Sequence, residues 1–307
     1  MLFVKTEDLK AGMRLAKPIY NKNGVMLYDR NSKITSQGII SVNNFGLIGI
    51  YILEPAEPVP PMSEDDIEFE RFQAMSVFTI REILDAYSKN QKEKDMYQFI
   101  NQLLKKYGSL HHKINFIQNL RSNEDYIYKH SLNTAILCAL ISSRLGLEFK
   151  SQLDIVAAAL LHDVGGLMIP GNIRRKRKSD ITEDDEKKIS QCYQNSYMAF
   201  KDNTDLSPDI KRILSASIAV LHPDIPAASA KMPTVIGAEI LKVAYNFDNM
   251  TAMKFGDEPL SEIAAVRYLL EHVDEFDKKV VDALLDSINI LSPGVCVEFT
   301  NGDKGLV

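Results

Sequence analysis

Apolar positions along this chain follow different periods in different stretches. Residues 1–53 carry short β-type runs broken by turn signals. Asn21-Lys-Asn-Gly24 separates apolar segments, and Leu47-Ile-Gly-Ile-Tyr-Ile-Leu53 reads as a buried strand. Glu54-Pro-Ala-Glu-Pro-Val-Pro-Pro61 follows, with four prolines in eight residues. Proline fixes φ and removes a backbone donor, so 54–64 reads as an extended linker. Ser63-Glu-Asp-Asp66 then opens a helix, its acidic residues suited to the positive N-terminal end. Beyond it the spacing is helical. Phe69, Phe72, Met75, Phe78, Ile80 and Ile83 recur at mixed three-to-four intervals, and Tyr97, Ile100, Leu103 and Leu104 do so more cleanly. Ser131 to Leu145 and Leu153 to Leu161 are apolar on most faces, as helices inside a bundle are. Further helices fit Val235 to Met253 and Ser261 to His272. The tail reverts to strands: Val295 to Phe299, a turn at Asn301-Gly302, then Lys304 to Val307 read as a hairpin.

The pattern predicts a mainly α fold with four parts. A small β-containing domain (1–53) leads through the Pro-rich linker (54–64) to a helical connector (65–118). A helical bundle with a short C-terminal β-hairpin fills 119–307. The 307 residues suffice for a substantial core.

Charge and cysteine content narrow the function. A formal net charge of -5 and a pI near 5.8 leave no basic footprint for DNA. Cys138, Cys192 and Cys296 are widely spaced and form no C-x-x-C pair, which argues against a disulfide framework or a structural zinc site. No apolar run approaches the ~20 residues that span a bilayer, and the N-terminus lacks a secretory pattern. The expectation is a cytoplasmic protein with no membrane contact.

Candidate chemistry centres on His162-Asp163, at the end of the apolar run Ala157-Ala-Ala-Leu-Leu161. An adjacent imidazole and carboxylate can share one metal ion, but a catalytic centre generally needs three or more protein ligands and an open position. His111-His112 are neighbours rather than four apart, so they diverge on a helix. His272 reads as a surface histidine near a helix C-terminus.

Several motifs in order resemble the HD-GYP family, a helical subset of the HD-domain phosphohydrolases that hydrolyse the bacterial second messenger cyclic di-GMP. They are Asp125-Tyr-Ile-Tyr-Lys-His130, Ser143-Arg-Leu-Gly-Leu147, Ala159-Leu-Leu-His-Asp-Val-Gly165, Leu167-Met-Ile-Pro170 and Leu241-Lys-Val-Ala-Tyr-Asn-Phe-Asp248. Phe276-Asp277 and Ser292-Pro-Gly-Val-Cys-Val-Glu-Phe-Thr-Asn-Gly302 continue the series. Leu9-Lys-Ala-Gly-Met-Arg-Leu-Ala-Lys-Pro18 resembles the small β-containing domain that often precedes it. The resemblance therefore implies an HD-type bundle over nearly the whole chain, in a bacterium.

Carried over position by position, the resemblance also implies a damaged metal site. His130 matches the first ligand, and His162 and Asp163 match the defining pair. The lysine of the family's HD-x-G-K pattern is Gly166. The next histidine falls on Cys192. The family's His-His-Glu region is Ser215-Ala-Ser217, and its Gly-Tyr-Pro loop falls near Ala227 to Ala230. The last aspartate becomes Tyr245, with Asp248 three residues on. A two-metal centre must bridge a hydroxide and neutralise a phosphate together, which these positions do not provide. What survives is a candidate one-ion set of His130, His162, Asp163 and Asp248, for iron or manganese. The alternative is no metal, with His162 and Asp163 closing the core by hydrogen bonds.

Arg174, Arg175 and Arg177 form a basic loop that either receives nucleotide phosphates or an acidic partner, or is simply a solvated loop. Lys254 stands where the family carries a phosphate-contacting arginine, and Gly256 replaces the aromatic after it. Three functions follow from the resemblance. The chain is a non-catalytic regulatory or interaction module in cyclic di-nucleotide signalling, or a divergent phosphohydrolase with Asp163 as a catalytic residue, or a nucleotide receptor without hydrolysis. The expected partners are a signalling protein or a cyclic di-nucleotide, with a homodimer through the apolar face of the connector as a further arrangement.

Overall fold

The computed structural model describes all residues except 1, 21–24, 56, 60, 92–94, 223–234, 255–257 and 292–295. The N-terminal unit comprises β1 (Leu2–Lys5), β2 (Arg14–Leu15), β3 (Ile19–Tyr20), β4 (Met26–Tyr28), α1 (Ser36–Asn44) and β5 (Gly49–Leu53). β5 is the central strand of an antiparallel β1-β5-β2 sheet, with Leu2 opposite Ile52 and Arg14 opposite Leu53. β3 and β4 pair separately. Leu15, Ile19, Ile34, Val42 and Ile50 close a small core beneath α1. The turn expected at Asn21–Gly24 lies outside the described residues.

The remaining chain is helical: α2 (Glu64–Ser88), α3 (Met96–Tyr107), α4 (Tyr126–Arg144), α5 (Phe149–Leu161), α6 (Val164–Met168), α7 (Gly171–Arg174), α8 (Glu183–Asp202), α9 (Pro208–Leu221), α10 (Ile236–Thr251), α11 (Glu262–Glu271) and α12 (Lys278–Ser287). β6 (Cys296–Glu298) and β7 (Lys304–Leu306) form the expected terminal hairpin, with Gly302 at φ +86° in its turn. That positive φ is a conformation glycine adopts without the Cβ penalty.

α4 is the axis of the bundle. Every residue from His130 to Ser142 is buried, which explains why its sequence shows no polar face. α5 runs beside it with Ile155 to Leu161 buried. The stretch read as a connector, 65–118, shares this core: Phe69, Ile80, Ile83, Leu84, Ile100 and Leu103 belong to the same apolar cluster as Leu132, Leu160 and Phe247. Ser63 caps α2 in a reciprocal box with Asp66, as the sequence anticipates.

Residues 116–122 form a non-helical segment between the two units and tie them together. Arg121 accepts a backbone hydrogen bond from Ile48 at 3.0 Å, and Leu47 pairs with Ser122. Lys17 Nζ donates to the Gln118 carbonyl at 2.7 Å, and Arg30 pairs with Glu70 on α2. Among the described residues no helix is long and apolar enough to cross a membrane.

Candidate functional site

His130 on α4, His162 at the end of α5 and Asp163 at the start of α6 converge, as the sequence leads one to expect. They are 2%, 7% and 7% exposed, so their polar atoms must be satisfied internally. His162 Nδ1 lies 2.7 Å from the Ala159 carbonyl, and His130 Nδ1 lies 2.6 Å from Asp248 Oδ2. A carbonyl and a carboxylate can only accept, so both Nδ1 atoms carry hydrogens. The two Nε2 atoms then face each other at 3.3 Å. Burial, aided by the neighbouring His130, lowers the His162 pKa to about 4, so His162 is uncharged at neutral pH.

Asp248, the fourth member of the candidate set, sits in a dense hydrogen-bond network. Its Oδ1 accepts from Arg121 at 2.7 Å, Asn133 at 2.9 Å and Gln118 at 3.0 Å. Its Oδ2 accepts from the same Arg121 nitrogen at 2.7 Å and from His130. A carboxylate has about four lone-pair positions, so none remains for an ion. Burial by itself would raise the Asp248 pKa, but Arg121 and His130 outweigh it and hold the group well below the ordinary carboxylate range. Asp248 thus fixes the orientation of the His130 ring through Nδ1, as carboxylates do behind metal-ligating histidines.

The network extends outward. Gln118 also donates to Thr251 at 2.8 Å, Asn133 donates to Gln118 at 3.0 Å, and Gln73 on α2 donates to Asn133 at 3.0 Å. Arg121 is fully buried and lies 5.0 Å from the Tyr126 ring.

Two tyrosines close the opposite side. Tyr193 on α8 donates its hydroxyl to Asp163 Oδ1. Tyr245 on α10 sets its ring edge-on to both imidazoles, at 5.0 Å from His130 and 5.5 Å from His162. Burial raises both phenols well above their ordinary range, so both stay neutral. His222, the last described residue before 223–234, stacks on Tyr193 at 3.9 Å. The space left beside His162, between α8 and α9, is ≈ 10 Å³, about enough for one water.

The structure also explains the departures around the His-Asp pair. A Cβ on Gly165 would sit 2.8 Å from the Tyr193 backbone, so α6 and α8 pack closely only with glycine there. A Cβ on Gly166, where the family pattern has lysine, would lie 2.9 Å from Ile127 Cδ1 and 3.2 Å from the Tyr193 hydroxyl. Cys192, aligned with the missing histidine, is a half-buried free thiol. Ser215 meets the Tyr197 hydroxyl at 2.9 Å, and Ser217 is buried. Ala227 to Ala230 and Gly256 lie outside the described residues.

The basic loop is not drawn into this site. Arg174, Arg175 and Arg177 are exposed, and Lys176 pairs with Asp185 at 2.5 Å. Lys254 is half-buried just beyond α10.

An HD-domain family model matches residues 114–280. The chain belongs to the HD-domain family. The HD-GYP resemblance read from its motifs holds as well. This HD-domain chain is 26% identical over 193 residues to the cyclic di-GMP phosphodiesterase PdeB of Borreliella burgdorferi, covering 57% of the chain and 46% of PdeB. It is 22% identical over 194 residues to a cyclic di-GMP phosphodiesterase of Pseudomonas aeruginosa, covering 61% and 45%. The chain spans about half the length of these curated relatives. An HDG"Y"P protein from Bdellovibrio bacteriovorus shares the fold, with a TM-score of 0.51 at 15% identity over 93% of this chain and 98% of that one.

The family's chemistry calls for metal ions, and the donor set here does not fit a two-metal centre. Two imidazole nitrogens face one point, Asp163 is held by Tyr193, and Asp248 is held by Arg121. Among the described residues no group of three or more His, Cys, Asp or Glu is placed to hold an ion. Arg121, Gln118, Asn133 and Tyr193 were not identified from the sequence. For Tyr193 a signal exists: Ile189, Tyr193, Ser196 and Phe200 follow the inward helical spacing on α8, which leaves Cys192 beside the stripe.

Proposed function

We propose that this HD-domain chain is a non-catalytic member that serves as a regulatory or interaction module in cyclic di-nucleotide signalling. The observation that carries the reading is the double closure of the site. Arg121 uses both oxygens of Asp248, and Tyr193 and Tyr245 pack against Asp163 and His162. Phosphodiester hydrolysis at a two-metal site needs metal to activate water and to neutralise developing charge. Here a buried arginine pairs with Asp248, and the Tyr193 hydroxyl donates to Asp163. The relatives' activity supports the signalling context, and the packed HD scaffold supports a role for its outer surfaces, the exposed Arg174, Arg175 and Arg177 among them.

Metal analysis of protein purified without oxygen or chelator tests this reading. The expected content of iron and manganese is well below one ion per chain. A stoichiometric ion, lost together in His130→Ala and His162→Ala variants that remain folded, contradicts it.

A further inference from the structure

α2 has two unlike faces. Phe69, Ile80, Ile83 and Leu84 lock its inner face into the core, and the Ser63–Asp66 box caps its start, so the helix is firmly held. On the outer face Ile67 is 57% exposed, Met75 57% and Phe78 37%. A single exposed apolar side chain means little. These three share one stripe, because Ile67, Arg71, Met75, Phe78 and Glu82 recur at three-to-four spacing and are all exposed. The N-terminal unit reaches α2 on the side of Glu70, which pairs with Arg30. α3 reaches it on the side of Glu68, which pairs with Lys106. The stripe between those contacts stays open. Leu27 of β4, which lines one cavity together with Phe78, is exposed too and widens the apolar surface.

The order of residues along the stripe says what fits it. A two-fold axis across a helix sets it against a second copy running antiparallel, and such an interface must be self-complementary. With the axis between Ser76 and Val77, Met75 falls opposite Phe78 of the second copy, and Arg71 falls opposite its Glu82. Each contact then occurs twice. A thioether against an aromatic ring is favourable, and Met, Phe and Arg are enriched at interfaces. Arg71 and Glu82 make no ion pair among the described residues, so both are available to each other across the axis. The helix ends match as well, Glu64 against Lys89. One pair in this register brings like charges together, Glu68 with Asp85. Both are turned aside: Glu68 is held by Lys106, and Asp85 accepts from the Tyr128 hydroxyl at 2.6 Å.

We propose that the outer face of α2 is a homodimer interface, with two copies of the helix packed antiparallel about a two-fold axis between Ser76 and Val77. One helix pair is a small contact, so the association is reversible rather than obligate. It uses no residue of the His-Asp site and does not depend on whether that site is silent.

Sedimentation velocity of the full chain over a concentration series tests this. The expected result is a reversible shift from the 34.6 kDa chain toward twice that mass, half complete on the order of 10 μM. Met75→Lys sets two ammonium groups in the apolar centre and should weaken the dimer at least about tenfold. Arg71→Glu and Glu82→Arg each create two like-charge pairs and should each weaken it about fivefold. The double variant restores the pairing in the reversed sense and should return to within about twofold of the unmodified chain. All three positions are exposed, so circular dichroism and the urea midpoint in dilute solution should match the parent. A single species of chain mass up to about 200 μM would overturn the proposal. So would a dimer that Met75→Lys leaves intact, or a double variant no stronger than either single change.

Discussion

Arg121→Met removes the guanidinium that donates to both oxygens of Asp248 while preserving an unbranched side chain of similar length. Both partners of the pair are 0% exposed, so water cannot replace the lost charge without rearrangement. Removing one member of a buried pair typically costs ~3–5 kcal/mol, because the other charge remains uncompensated. Asp248 would keep three donors, His130 Nδ1, Asn133 Nδ2 and Gln118 Nε2, so the lower end, about 3 kcal/mol, is expected here. The loss also has a pH signature. In the intact protein the Asp248 pKa is depressed, so its contribution is present above the unfolded carboxylate pKa and is lost as pH falls through the folded value. Without Arg121 that depression shrinks, and the gap between variant and parent should narrow below about pH 4. Urea denaturation at pH 7 and at pH 4 measures both effects, and Arg121→Met with Asp248→Leu completes a double-mutant cycle. The double variant should recover part of the loss, since no buried charge is then stranded. A single-variant loss below about 1 kcal/mol at pH 7 would refute the reasoning, as it would mean that Asp248 is not dependent on Arg121.

Other outcomes follow from the same geometry. Tyr193→Phe removes the donor to Asp163 and should cost roughly 1.5–3 kcal/mol in urea titration; a change within error would show that this contact contributes nothing. His162 has a folded pKa of about 4 against an unfolded value near 6.5, so stability is full above that upper value and falls as pH drops toward 4, by up to roughly 3 kcal/mol. His162→Phe should flatten that part of the stability–pH profile, and an unaltered slope would assign it to other groups. Cys192→His combined with Tyr245→Asp should not create cyclic di-GMP hydrolysis, because Tyr193 is the α8 residue that meets Asp163. Turnover gained by that pair of changes would show that the missing ligands alone had silenced the site.

The helices and the three-residue remnant were legible in the sequence because each rests on local information. α4 and α5 announce themselves by continuous apolar stretches, and His162 and Asp163 are neighbours by covalent connection. The role of Arg121 was not legible. Its partner Asp248 is 127 residues away, and an arginine in an aperiodic polar stretch ordinarily reads as surface. Cys192 was favoured over Tyr193 by position in the family pattern, yet one residue along an α-helix turns the side chain by ~100°. The connector read as a separate piece because its amphipathic face shows that it packs on something, but not on what. Phe69, Ile80 and Ile100 pack on the same bundle that follows them. The contact of Asp248 with His130 was likewise not legible, because the two are 118 residues apart.

Hydrolysis of cyclic di-GMP in excess manganese or iron(II), followed by chromatography of the nucleotide products, tests the central claim most directly. With Asp248 held by Arg121 and the His-Asp pair covered by Tyr193 and Tyr245, the unmodified chain should release no more linear pGpG or GMP than its Asp163→Ala variant. Metal-dependent release by the unmodified chain that disappears in Asp163→Ala would contradict the account and make this protein a working phosphodiesterase.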